Sequence, residues 1–312
     1  LSSCSQSGRA PMPLFSGLSA FPITPCDDAG QLDIDALQRL LARLTEAGVD
    51  SIGLLGSTGS YPYLTRAQRR QAVAAAVEVT RDRVPLLVGV GALRTDDAVS
   101  LAADARAEGA EALLLAPVAY IPLFEEEVFE HYACVAGATD LPLCVYNNPA
   151  TTGFTFSPAL LGRLSRVPNI RAAKNPAAPA GEMAAAHEAF SRAAAPDFSL
   201  GYSGDWHATE ALIAGGSAWY SVAAGLFPEP GLRIVRAVQA GDYEEARRLN
   251  TALEPLWALF RAHSSYRVIH AAAQAMGITN ARPPRPIMPL PERVRDEIRA
   301  VLEQLASRSI TR

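Results

Sequence analysis

The 312-residue chain predicts a closed (β/α)8 barrel, a TIM barrel, with a C-terminal helical extension. Three observations carry that prediction. Short apolar runs alternate with helical stretches, eight times, at spacings of roughly 25–35 residues. The runs are nearly continuous in apolar residues, as strands buried on both faces of a parallel sheet are. Helical stretches also end in small-residue turns that feed straight into a strand: TEAGVD into SIGLLGS, RAEGA into EALLLAP, IAGGS into AWYSVAA. Glycine supplies the left-handed turn that closes such helices. A doubly wound open sheet is the alternative. It opens on a Gly-rich phosphate loop after its first strand, and FPITPCDDAG at 21–30 is not one.

The elements follow in order. The first apolar run is FSGLSAFPI, near 15–23, with a helix near 33–47 behind it. SIGLLG at 51–56 is the second strand, and a helix near 65–81 follows the loop GSTGSYPYLT. The third strand is PLLVGVG at 85–91, with a helix near 95–108. EALLLA at 111–116 is the fourth. Its helix, near 124–138, begins with Glu125, Glu126 and Glu127, where the helix dipole favours acids. LPLCVYN at 141–147 is the fifth, stopped by Pro149, with a helix near 157–165. NIRAAK at 169–174 is the sixth, before a helix near 181–194. FSLGYS at 198–203 is the seventh. Asp205 follows Gly204 and is expected to cap a helix near 205–214. SAWYSV at 217–222 completes the eight. From 227 only helices are expected, near 228–240, 242–262, 264–277 and 291–306, with ARPPRPIMP as a rigid break before the last. The division is therefore a flexible tail at 1–13, a barrel at 14–226 and a helical region at 227–312.

Composition narrows the function. Apolar residues make up 49% of the chain, enough for a large core. The net charge is −4 and no basic cluster occurs, so no nucleic-acid surface is expected. No run reaches the length that spans a bilayer, and the N-terminus lacks the apolar stretch of a signal peptide. Cys4, Cys26, Cys134 and Cys144 show neither CxxC nor metal-ligand spacing. They read as reduced thiols in a cytoplasmic protein, with no metal site.

In such barrels the reactive groups stand at the C-terminal ends of strands. At the end of the sixth strand stands Lys174, the one lysine of the chain; the other 27 of 28 basic residues are arginine. Arginine cannot lose its proton in a protein, whereas a lysine amine can, and then attacks a carbonyl. The bland reading is a chance survivor. At the end of the fifth strand, Tyr146 in CVYNNPATTGF is placed to move a proton to and from a bound carbonyl; alternatively it is a rim tyrosine. After the second strand, GSTG offers the N–H groups and hydroxyls of Ser57 and Thr58 as a small anion nest suited to a carboxylate. It has neither the lysine nor the length of a P-loop. An amine, a phenol and a carboxylate cradle together point to a small 2-oxo acid whose ketone condenses with Lys174. His207 lies near the mouth as a contact or an incidental residue; His263 and His270 read as packing or surface residues.

With these residues in view, the chain resembles the dihydrodipicolinate synthase / N-acetylneuraminate lyase family of class I, pyruvate-type aldolases, over roughly residues 14–300. The resemblance rests on GLSAFPITPCDDAGQLD, GSTG with LTRAQR behind it, YNNP, a lysine 28 residues after that tyrosine, GYSGD and GGSAWYSVAAGLFPE. It implies a (β/α)8 barrel with a helical C-terminal region, a homotetramer built from dimers, and no metal or organic cofactor. It implies Lys174 as the Schiff-base lysine and Tyr146 as the proton-transfer tyrosine. Ser57 and Thr58 would hold the carboxylate, with Tyr220 and Gly204 lining the pocket. The chain also departs from dihydrodipicolinate synthases. Thr151 stands where they carry an arginine for the second substrate's carboxylate, and a hydroxyl does not replace a guanidinium. Ala119 stands where they carry a proton-relay tyrosine donated across an interface, with Tyr120 next to it as a substitute. Ser60 replaces a glutamate, and Asn175 follows the lysine.

Three readings follow. The first is a lyase that cleaves or forms a C–C bond to pyruvate, or dehydrates a 3-deoxy-2-oxo sugar acid, with dihydrodipicolinate synthase proper as its alternative. The second is a non-catalytic homologue that binds a keto acid. The third, a barrel enzyme for phosphorylated substrates, needs an anion site after strands seven and eight, where GYSGD and SVAAG hold no basic residue.

Overall fold

A computed structural model describes residues 14–27 and 29–307; the expected tail at 1–13 lies outside them. Eight parallel strands close into a barrel in sequence order, the first pairing with the last. They are Gly17–Ala20 (β1), Ser51–Leu54 (β2), Leu86–Gly89 (β3), Ala112–Leu115 (β4), Leu143–Tyr146 (β5), Ile170–Pro176 (β6), Ser199–Ser203 (β7) and Ala218–Ser221 (β8). The helices of the barrel layer are Ile34–Ala47 (α1), Arg66–Thr80 (α2), Thr95–Glu108 (α3), Glu125–Gly137 (α4), Pro149–Thr152 (α5), Pro158–Leu164 (α6), Ala180–Ala193 (α7) and Asp205–Ile213 (α8). Beyond the barrel come Pro228–Gln239 (α9), Tyr243–Ala252 (α10), Glu254–His263 (α11), Ser265–Ala275 (α12) and Glu292–Ser307 (α13).

Side-chain alternation along the strands divides the core in two. Leu18, Ile52, Leu54, Leu86, Val88, Leu113, Leu115, Val145 and Trp219 face outward into the helix layer. Phe21, Leu87, Ala112, Leu114, Cys144, Tyr146, Ala172, Ala218 and Tyr220 face into the barrel. Small residues are frequent on the inner set, which leaves volume for a few rings and one lysine.

The expected helix ends recur. Gly48, Gly109 and Gly215 have φ of 74°, 104° and 112°, the left-handed conformation that a Cβ disfavours. The Thr65 hydroxyl accepts from Gln68 N at 3.3 Å while the Gln68 amide reaches back, a capping box that starts α2.

Two expectations need correction. The single helix near 242–262 is two helices, broken at Leu253, because Pro255 has no N–H to extend a helix and instead sits in the first turn of α11. Asp205 is not the cap of α8. Gly204 holds that position, and Asp205 turns inward, 2% exposed, to accept from Trp219 Nε1 at 2.9 Å and Ala223 N at 2.7 Å. Its carboxylate thus ties the start of α8 to β8 and the turn after it. No helix of the described residues is long and apolar enough to cross a membrane.

Candidate active site

Register brings the site together. In the β5–β6 pair the Cα of Tyr146 is partnered with that of Lys174, and in the β6–β7 pair Lys174 is partnered with Gly201. Residues partnered in this way project to the same side of a sheet, so both side chains enter the barrel mouth. Gly201 is a requirement: a Cβ there would lie 2.3 Å from the Tyr220 ring and 3.0 Å from Ala218. Its bare backbone gives Tyr220 room beneath the lysine.

Lys174 is 3% exposed. Its Nζ lies 3.6 Å from the ring centroid of Phe21, 4.2 Å from that of Tyr146 and 5.9 Å from that of Tyr220. Among the described residues it makes no ion pair. Below, Cys144 Sγ lies 3.7 Å from Tyr220 Oη, and burial pushes its thiol up to about 12, so it stays protonated at neutral pH. Burial also raises the Tyr220 phenol far above its ordinary value. Tyr220 and Cys144 therefore keep their protons at neutral pH and shape the floor.

The Tyr146 phenol oxygen accepts from Asn148 Nδ2 at 3.0 Å and lies 3.2 Å from Ser57 Oγ. With one lone pair taken by Asn148, the phenol proton is directed toward Ser57 or a ligand beside it. Ser57 was expected to hold a carboxylate; its hydroxyl also forms this link to the tyrosine. The loop that carries it is strained at both ends, since Leu55 and Ser60 have φ of 56° and 57°. Gly59 N and Ser60 N close turns onto Gly56 O and Ser57 O. Among the described residues nothing accepts from the N–H groups of Ser57 and Thr58. Ser60 Oγ bonds Tyr266 Oη at 2.7 Å and anchors the loop to α12.

Of the eight residues singled out from the sequence, Lys174, Tyr146, Ser57, Thr58 and Tyr220 gather at the mouth. Gly204 sits at the β7–α8 junction with φ of 90°. Thr151 and Tyr120 do not join them. Thr151 is exposed in α5, its hydroxyl bonding its own turn at Asn148 O, 3.3 Å away. Tyr120 is 90% exposed on the segment between β4 and α4. That segment has left the sheet, so neighbouring positions no longer alternate in and out, and Tyr120 does not fill the place of a relay tyrosine within this chain. Sequence reasoning passed over Asn148 and Phe21. The first was visible as a second amide between Tyr146 and Pro149; the second as an aromatic just past β1, at the level of the other strand ends. His207, expected near the mouth, is half-buried beside Trp206, and burial and Arg261 lower its proton affinity.

Known proteins resemble this chain in sequence and in fold. Residues 14–305 match the family model described as the dihydrodipicolinate synthetase family. The chain is 33% identical over 282 residues to 4-hydroxy-tetrahydrodipicolinate synthase of Methylococcus capsulatus, covering 90% of this chain and 95% of that one. Among solved structures it is similar to dihydrodipicolinate synthase from Agrobacterium tumefaciens str. C58, with 56% identity, a TM-score of 0.91, and coverage of 93% and 98% of the two chains. It is also similar to a monomeric dihydrodipicolinate synthase variant, at 26% identity and a TM-score of 0.87, over 96% of this chain and 99% of that one.

Proposed function

Since this chain belongs to the dihydrodipicolinate synthetase family, we propose that it is a lyase that forms a Schiff base between Lys174 and the ketone of a small 2-oxo acid. The observation that carries the proposal is the sole lysine of the chain, buried in the barrel mouth with its Cα partnered to that of Tyr146. The N–H groups of Ser57 and Thr58 receive the carboxylate. The amine adds to the ketone, water leaves, and the protonated imine draws electrons from the neighbouring carbon. Tyr146 gives or takes the proton as a C–C bond forms or breaks, or as carbon three loses a proton and the hydroxyl on carbon four departs as water. Fixed donors in a site shielded from water stabilise the moving charge.

The second substrate is an uncharged, hydroxylated or aromatic partner, or the leaving part of a 3-deoxy-2-oxo sugar acid. The support is Thr151, which offers no cation for a second carboxylate. A second reading, dihydrodipicolinate synthase proper, is favoured by the names of the relatives. Tyr120, Ile121 and Phe124 are exposed apolar side chains on one segment and support a homo-oligomer, a dimer or tetramer. Cys26, Cys134 and Cys144 are free thiols, which fits a cytoplasmic enzyme.

Incubation with pyruvate, then borohydride, then mass measurement tests the first step: one reduced pyruvate adduct on Lys174 is expected. Pyruvate binding without an adduct would leave a keto-acid-binding protein. Pyruvate release from a panel of 3-deoxy-2-oxo acids, against condensation with aspartate semialdehyde, separates the two lyase readings.

A further inference from the structure

The Lys174 amine faces an aromatic ring more closely than anything charged. Phe21 follows β1, is 1% exposed, and its ring centroid stands 3.6 Å from Nζ, nearer than either tyrosine ring. The ring is locked in place. A Cβ on Gly53 would come within 2.2–2.5 Å of three of its atoms, and one on Gly56 within 2.6 Å of its Cδ1. Tyr220 meets it edge-on, with centroids 5.9 Å apart at 88°. Gly53 is in β2 and Gly56 opens the GSTG loop, so the elements that would hold the carboxylate also form the slot for this ring.

The face of an aromatic ring is negative and attracts a nearby cation. Among the described residues no carboxylate pairs with Nζ, so the rings are what the structure provides for a positive charge there. An ammonium has three N–H donors and draws support from water and hydroxyls. The protonated imine keeps the full charge with one N–H and is planar. It therefore depends more on a π face than the ammonium does.

We propose that Phe21 is a catalytic residue: its ring takes the place of a carboxylate counterion and stabilises the protonated imine on Lys174. The proposal rests on the Schiff-base reading given above. The neutral amine adds to the ketone carbon to give a carbinolamine. One proton is taken from solvent, and water departs with the former ketone oxygen. The nitrogen is left with one hydrogen, a double bond to carbon and the positive charge. The ring forms and breaks no bond.

Fluorination tests this, because it drains the ring face while nearly preserving shape. Phe21 is replaced by 4-fluoro-, 3,5-difluoro- and 3,4,5-trifluorophenylalanine, and the pyruvate concentration that traps half the protein as the Lys174 adduct is measured at one pH. That concentration is expected to rise stepwise, by about tenfold across the series. Phe21→Leu, which keeps an apolar side chain without a face, is expected at or beyond the trifluoro end. A flat series with the adduct still on Lys174 overturns the role of Phe21 and leaves the Schiff-base reading intact. Absence of any adduct in the unsubstituted protein overturns that reading and this one with it.

Discussion

Tyr146 is held through its phenol oxygen by an amide and a hydroxyl, and its ring is packed in the inner core of the barrel. Tyr146→Phe keeps the ring near Nζ and removes the proton. Turnover is expected to fall by about 10²–10⁴-fold, the usual size of a general acid–base contribution, while the borohydride-trapped adduct still forms. Loss of turnover and adduct together would show that Tyr146 works by placing the lysine. Asp205 is a second single-residue case, with a structural part to play. Burial raises its carboxyl above the usual range, yet two donors converge on it. Asp205→Ala orphans Trp219 Nε1 and Ala223 N, and about 2–3 kcal/mol of stability is expected to be lost, read from the urea unfolding midpoint. Lysine and tyrosine could be picked out from sequence because strand ends can be located and the chemistry of an amine is distinctive. Phe21 could not. Its meaning depends on the bare backbones of Gly53 in the neighbouring strand and Gly56 in the loop after it, a contact that no spacing along the chain encodes. Nor could the direction of Tyr120, since alternation gives no guide once the chain leaves the sheet.

Strands and helices were read with unequal success for physical reasons. All eight strands announced themselves because burial on both faces leaves unbroken apolar runs, and the glycines at 48, 109 and 215 marked where helices stop. The four-residue α5 is too short for any periodicity to register. The break at Leu253 was hidden because apolar residues keep helical spacing on both sides of it, and a proline in a first turn leaves that spacing undisturbed. One contact between elements has a measurable consequence. Arg236 on α9 binds Asp50 through two nitrogens at 2.9 and 2.7 Å, and the same carboxylate accepts from Leu18 N at 2.8 Å. The Asp50 side chain is 3% exposed, while that of Arg236 is 31% exposed. This joint fastens the start of the barrel to the first helix beyond it. Arg236→Ala leaves a buried carboxylate with one donor, and a loss of about 2 kcal/mol is expected in chemical denaturation. A loss near zero would mean that water replaces the guanidinium.

Among the described residues, His270 is a buried base that ties the stability of the whole molecule to pH. His270 on α12 is buried beside the Tyr266 ring, with centroids 4.8 Å apart, and neither ring nitrogen finds a partner among the described residues. Burial pushes its proton affinity from the ordinary 6.5 down to about 4. The unfolded chain therefore binds a proton there first. The stability linked to this group is complete above pH 6.5 and is lost as pH falls through 4, a decline of about 3 kcal/mol. His270→Leu is expected to flatten that part of the stability–pH curve, measured by thermal unfolding across the window; an unchanged slope would assign it to His131, His187 or carboxylates elsewhere. The lone lysine has a consequence of its own. Reductive methylation with ¹³C-formaldehyde labels primary amines, so apart from the α-amino group it would place isotope at a single side chain. A two-dimensional spectrum of the labelled protein would then contain one side-chain resonance. Ring currents from Phe21 and Tyr146 would displace that signal from the position of an unshielded methylamine, and its movement on adding a keto acid would follow events at the barrel mouth against an otherwise silent background.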